Sequence, residues 1–131
     1  MGAFEPVGDS VDRVAEAVVD AAFRVHENLG PGLLESVYET CLCHELKKHG
    51  IPFKRQFPVP ITYDDVRLDA GFRLDLFVDD CVIVEVKAVE KLSALFEAQL
   101  LTYLRLAHCR LGLLINFNVR LIRDGIQRIV L

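Results

Sequence analysis

The stretch Phe72-Arg73-Leu74-Asp75-Leu76-Phe77-Val78-Asp79-Asp80-Cys81-Val82-Ile83-Val84-Glu85-Val86-Lys87-Ala88 decides the fold. Two runs of β-favouring residues flank a turn-prone Asp-Asp pair, so the segment reads as an antiparallel hairpin. A two-residue turn at Asp79-Asp80 pairs Val78 with Cys81, puts Asp75 opposite Val84 and Glu85 opposite Leu74, and scatters charge over both faces. A three-residue turn pairs Val78 with Val82 and gathers Leu74, Leu76, Val78, Val82, Val84 and Val86 on one face. The other face then holds Asp75 opposite Glu85, Phe77 opposite Ile83, and Arg73 opposite Lys87. Register follows the demand for one apolar face, so the second arrangement is expected.

That register has a chemical consequence. Two carboxylates directly opposite each other lie ~5 Å apart at Cβ and repel unless a cation joins them. Hard oxygen ligands suit Mg²⁺ or Mn²⁺, which keep waters that phosphate oxygens can replace. Lys87 stands two residues from Glu85 on the same face, where an ammonium serves an attacking water and offsets charge on a pentacovalent phosphorane. A plain charged strip on a solvated sheet face has the same pattern, so the neighbouring sequence has to decide.

Outward from the hairpin, residues 53–63 read as a preceding strand, with 67–78 and 81–88 completing an antiparallel meander. Before it, Val11, Val14, Ala15, Val18, Ala22, Val25 and Leu29 repeat at helical spacing, and Asp9 or Ser10 is placed to cap that helix. Gly30-Pro31-Gly32 stops it, and a second helical run from Leu34 to Leu46 ends before Gly50-Ile51-Pro52. After the meander, Ser93 is expected to cap a helix reaching His108, followed by a strand from Leu111 to Phe117. A final hairpin is expected to turn at Asp124-Gly125, a dipeptide suited to a type I′ turn. The order α-α-β-β-β-α-β plus a terminal hairpin predicts one α+β domain over residues 1–131.

Composition agrees. The 131 residues are 52% hydrophobic, enough for an independent core, and disorder or a disulfide-dependent miniprotein is excluded. The longest apolar runs, such as Leu113-Leu114-Ile115, are far short of the ~20 residues that span a bilayer. The first twelve residues carry no Lys or Arg, and Pro6 spoils a lipidation pattern after Gly2, so a cytoplasmic protein without membrane association is expected. Cys41, Cys43, Cys81 and Cys109 form no CxxC pair and read as reduced, packed thiols; Cys41-x-Cys43-His44 lies mid-helix, where its members diverge. The net charge is −4, unevenly spread: −7 over residues 1–45, −1 over 46–97 and +4 over 98–131. A positive surface toward a polyanion is expected from Arg105, Arg110, Arg120, Arg123 and Arg128.

Gly32-Leu33-Leu34-Glu35-Ser36-Val37-Tyr38 matches a GxxExxY signature, and Asp75, Glu85-Val86-Lys87 and Gln99-x-x-x-Tyr103 follow it. In that order these motifs resemble the GxxExxY family of the PD-(D/E)XK nuclease superfamily, over nearly the whole chain, with a QxxxY element similar to that of RecB-type nucleases. Leu74 stands where the superfamily's name-giving Pro would be, a position without a part in metal ligation. The resemblance implies a restriction-endonuclease-like α-β-β-β-α-β core with a mixed sheet flanked by helices, and metal-dependent cleavage of nucleic acid, DNA ahead of RNA. It implies Asp75, Glu85 and Glu35 as ligands of Mg²⁺ or Mn²⁺, and Lys87 as the residue serving the attacking water. Gln99 and Tyr103, four apart on one helical face, would brace the site or touch substrate. Arg73 beside Lys87 is read as useful opposite a phosphate. His26, leaning toward Glu35, and Tyr38 are read as residues behind the site. Two rival readings stay open: a module that binds nucleic acid or protein without cutting, and a nuclease subunit active only in a homodimer or larger complex.

Overall fold

The computed structural model describes residues 6–131; the reading of Gly2 and the residues next to it lies outside them. The first apolar stripe forms α1 (Asp9–Leu29), with Ala15, Val18, Ala22 and Val25 buried. Neither Asp9 nor Ser10 caps it. Both already lie within the helix, Gly8 holds the N-cap position, and Asp9 and Asp12 instead complement the dipole from the first turn. Gly30 ends α1 with a left-handed φ of 70° and returns its N–H to the His26 carbonyl at 2.8 Å. The second run forms α2 (Glu35–Lys48).

The strands are β1 (Phe53–Tyr63), β2 (Val66–Val78), β3 (Val82–Lys87), β4 (Leu111–Asn116) and β5 (Ile126–Val130), in spatial order β1-β2-β3-β4-β5. β3 and β4 pair in parallel across α3 (Ala94–Leu106), and the other pairs are antiparallel. Ser93 occupies the N-cap position of α3, although its side chain makes no cap bond. β3 and β4 are buried almost throughout, as strands covered on both sides must be, although Glu85 and Lys87 interrupt one face of β3. On one face α1 and α2 pack over Leu76, Val78, Val82, Val84, Val86, Leu113 and Ile115. On the other, Leu100 and Leu104 of α3 cover Ile83 and Leu114.

The β2–β3 register is Leu76↔Val84, Phe77↔Ile83 and Val78↔Val82, the three-residue-turn arrangement. Asp79 and Asp80 both take positive φ (48° and 53°), which Asp tolerates, and Cys81 donates its N–H to the Val78 carbonyl at 3.0 Å. One expectation fails inside this hairpin. Leu74 does not share a face with Leu76; it joins Ile83, Leu100 and Leu104 on the α3 side. The cause lies on the neighbouring strand, where Gln56 adopts a left-handed φ of 50° between the pairs Arg55↔Leu76 and Phe57↔Leu74. Both strands change facing there.

The terminal hairpin forms, with β4 and β5 paired from Leu111↔Val130 to Ile115↔Ile126, but its turn is not the expected two-residue one. A longer connection ends in a 3₁₀ turn over Ile122–Gly125. Gly125 is required for proximity: a Cβ there would lie 2.1 Å from the Asn116 carbonyl oxygen. The Asp-Gly pair therefore marks a close backbone approach.

Candidate metal and catalytic site

The site forms where β2 and β3 part. Beyond Leu76↔Val84 no backbone pair continues, and two side chains bridge the gap. Asp75 donates its backbone N–H to Glu85 Oε2 at 3.0 Å, and Val86 donates its N–H to Asp75 Oδ2 at 2.8 Å. The expected meeting of Asp75 and Glu85 is thus made by carboxylates standing in for ladder bonds. Arg73, expected opposite Lys87, is exposed and pairs with Pro58 of β1, because the β2–β3 ladder ends before reaching it.

Glu85 is 4% exposed, and burial together with the Asp75 charge pushes its carboxyl up to about 8. Asp75 is also raised, chiefly by burial, while the Val86 amide opposes the shift. Two such acids cannot both ionise cheaply without a cation. Glu35, exposed in the first turn of α2, lies near enough to feel the charges of Lys87 and Asp75, and the Ala88 backbone also acts on its carboxyl. Desolvation is the largest influence on Glu35 and raises its pKa. Lys87 ends β3 with Nζ 4.6 Å from the centre of the Phe96 ring, a cation-π contact with the first turn of α3.

Among the described residues no three acidic, His or Cys side chains are gathered closely enough to hold a metal ion as they stand. The donor chemistry nonetheless fits a hard divalent cation: carboxylate oxygens from Asp75 and Glu85, a third acid nearby, and desolvation that already raises the proton affinity of all three.

Tyr103 also belongs here. Its ring stacks on Phe72 at 4.5 Å between centroids, and burial followed by the charges of Glu85 and Asp75 raises its pKa. Gln99, four residues earlier, is exposed and makes no side-chain hydrogen bond among the described residues. Tyr38 is fully buried; its hydroxyl donates to the Gly30 carbonyl at 2.6 Å and accepts the Leu33 N–H at 3.0 Å, while its ring stacks on Phe117 at 4.7 Å. It latches the loop that delivers Glu35. His26 does not turn to Glu35: its Nε2 hydrogen-bonds with the Val119 carbonyl at 2.7 Å, holding α1 against the β4–β5 connection. All four thiols are free, with burial lifting Cys43 to about 11.

Asn116 organises the chain that follows Lys87. It pairs with Lys87 across the parallel ladder, accepts the Val89 N–H and donates to the Val89 carbonyl, each at 3.0 Å. Glu39 and Gln56 are the residues sequence reasoning missed. Glu39 is buried one turn after Glu35, and Gln56 lies across from Asp75; the four-residue step from Glu35 was the available signal.

A family model described as the PD-(D/E)XK nuclease superfamily matches residues 12–129. No curated protein and no solved structure matches the chain. The three α-helices and five-stranded mixed sheet of the described residues are consistent with the restriction-endonuclease-like fold.

Proposed function

Because the chain belongs to the PD-(D/E)XK nuclease superfamily, we propose that it is a metal-dependent nuclease of the GxxExxY type, cleaving nucleic-acid phosphodiesters, DNA ahead of RNA. The observation that carries this reading is the buried Glu85 carboxylate meeting half-buried Asp75 at the open end of β2 and β3, with Lys87 and Glu35 as electrostatic neighbours. Asp75, Glu85 and Glu35 would hold Mg²⁺ or Mn²⁺, which when bound supplies Lewis acidity toward a phosphoryl oxygen and a more acidic water. Lys87 orients the attacking water with its ammonium and offsets the negative charge that accumulates on the phosphorane. Tyr103 lies close enough to feel the charges of both carboxylates and holds the outer end of β2 through Phe72. Cations for the substrate backbone come from Arg120 and Arg123, which line a groove with Pro31 next to the loop that delivers Glu35.

Purified protein is expected to cut DNA in Mn²⁺ or Mg²⁺, and Asp75→Ala, Glu85→Ala and Lys87→Ala each to lower the rate at least about a hundredfold while circular dichroism stays native. Absence of cleavage of every DNA and RNA form with either metal, or variants that cut as fast as the parent, would sink the proposal.

A further inference from the structure

Resting on that reading, the geometry points to Gln56 as the positioning residue of the metal ligand Asp75, clamped from behind by Glu39 and Arg55. The three groups form a chain between α2, β1 and β2. Arg55 Nε donates to Glu39 Oε2 at 2.6 Å, Gln56 Nε2 donates to Glu39 Oε1 at 2.9 Å, and the same Nε2 lies 3.4 Å from Asp75 Oδ1. Arg55 also reaches the Thr40 hydroxyl at 2.9 Å, which fixes the guanidinium on α2. An amide nitrogen has two N–H groups, so one side chain can bridge two carboxylates that would otherwise repel.

The charges suit that role. Glu39 is 7% exposed and has its counterion in Arg55. Gln56 contributes donors without net charge, so Asp75 is oriented while its own charge stays available to a cation. The other oxygen of Asp75 is held by the Val86 amide, so a donor on each side fixes the carboxylate plane. The backbone accommodates this at a cost: Gln56 sits at φ 50°, uncommon for a residue other than glycine, asparagine or aspartate, at the place where β1 and β2 change facing.

The test is Mn²⁺ titration by calorimetry on the full chain and on Gln56→Asn and Gln56→Met, with Asp75→Asn as control. Asparagine tolerates the left-handed backbone but is one methylene too short to bridge, and methionine keeps the length without the donors. Both variants are expected to melt within a few degrees of the parent, to bind Mn²⁺ about tenfold more weakly, and to recover cleavage when Mn²⁺ is raised. A folded variant with parental Mn²⁺ affinity overturns the role of Gln56 while leaving the nuclease reading intact. Loss of folded protein in both variants makes Gln56 a structural residue and overturns it as well. A parent that binds no Mn²⁺, or an Asp75→Asn variant that binds like the parent, removes the reading beneath it.

Discussion

Glu85 concentrates the physical tension of the molecule in one side chain. Its carboxyl ionises near 4.5 when free and near 8 in the fold. Between those values the unfolded chain binds fewer protons than the folded one, so metal-free stability falls as pH rises from about 4.5 to about 8. Asp75, shifted in the same direction, adds to the slope. Thermal melts across this window should show the decline, and Glu85→Gln should flatten it and melt above the parent at pH 8. Mn²⁺ binding below pH 8 should release protons, seen as a dependence of the calorimetric heat on buffer ionisation enthalpy. Tyr38 makes a separate case. Tyr38→Phe keeps the stack on Phe117 but removes both bonds to the Gly30–Leu33 loop, and is expected to cost about 1–3 kcal/mol. Faster amide exchange at Leu33 would report the loosened loop, while unchanged exchange would count against the latch.

At the scale of elements, the hairpin was legible because its apolar residues alternate, and only the 78↔82 register sets Leu76 and Val78 on the same face as Val82, Val84 and Val86. That pattern could not reveal the reversal at Leu74, which arises from a left-handed residue on a different strand. Glu39 and Gln56 stayed hidden for a related reason: their partnership exists only once α2 lies against β1. Asp124-Gly125 carried a real signal with the wrong cause, since the glycine relieves contact with Asn116 and not a positive φ. Gly125→Ala is therefore expected to destabilise by about 1–3 kcal/mol through displacement of the β4–β5 connection, measurable by denaturant unfolding. Asn116→Ala should leave the Val89 amide unpaired and its carbonyl with only the 3.4 Å bond from Asn118, and slow cleavage by loosening the chain after Lys87, with parental kinetics the contrary result.

Across the whole molecule, the uneven charge read from sequence is distributed in space more selectively than the count implies. Arg128 is paired with Asp12 at 2.6 Å, and Arg110 donates to the Pro6 and Leu131 carbonyls at 3.1 and 3.2 Å. Arg120 and Arg123 are left beside the loop leading to Glu35. Replacing either with alanine should weaken DNA binding across sequences and lower the slope of log affinity against log salt by about one. No helix of the described residues is long and apolar enough to cross a membrane. If Asp75 and Glu85 form a divalent-cation site at the open end of β2 and β3, anomalous diffraction from crystals soaked in Mn²⁺ will locate the ion there. A peak in contact with both carboxylates, absent from Asp75→Asn crystals, is the expected result. No peak there, or one that persists unchanged in Asp75→Asn, would contradict it.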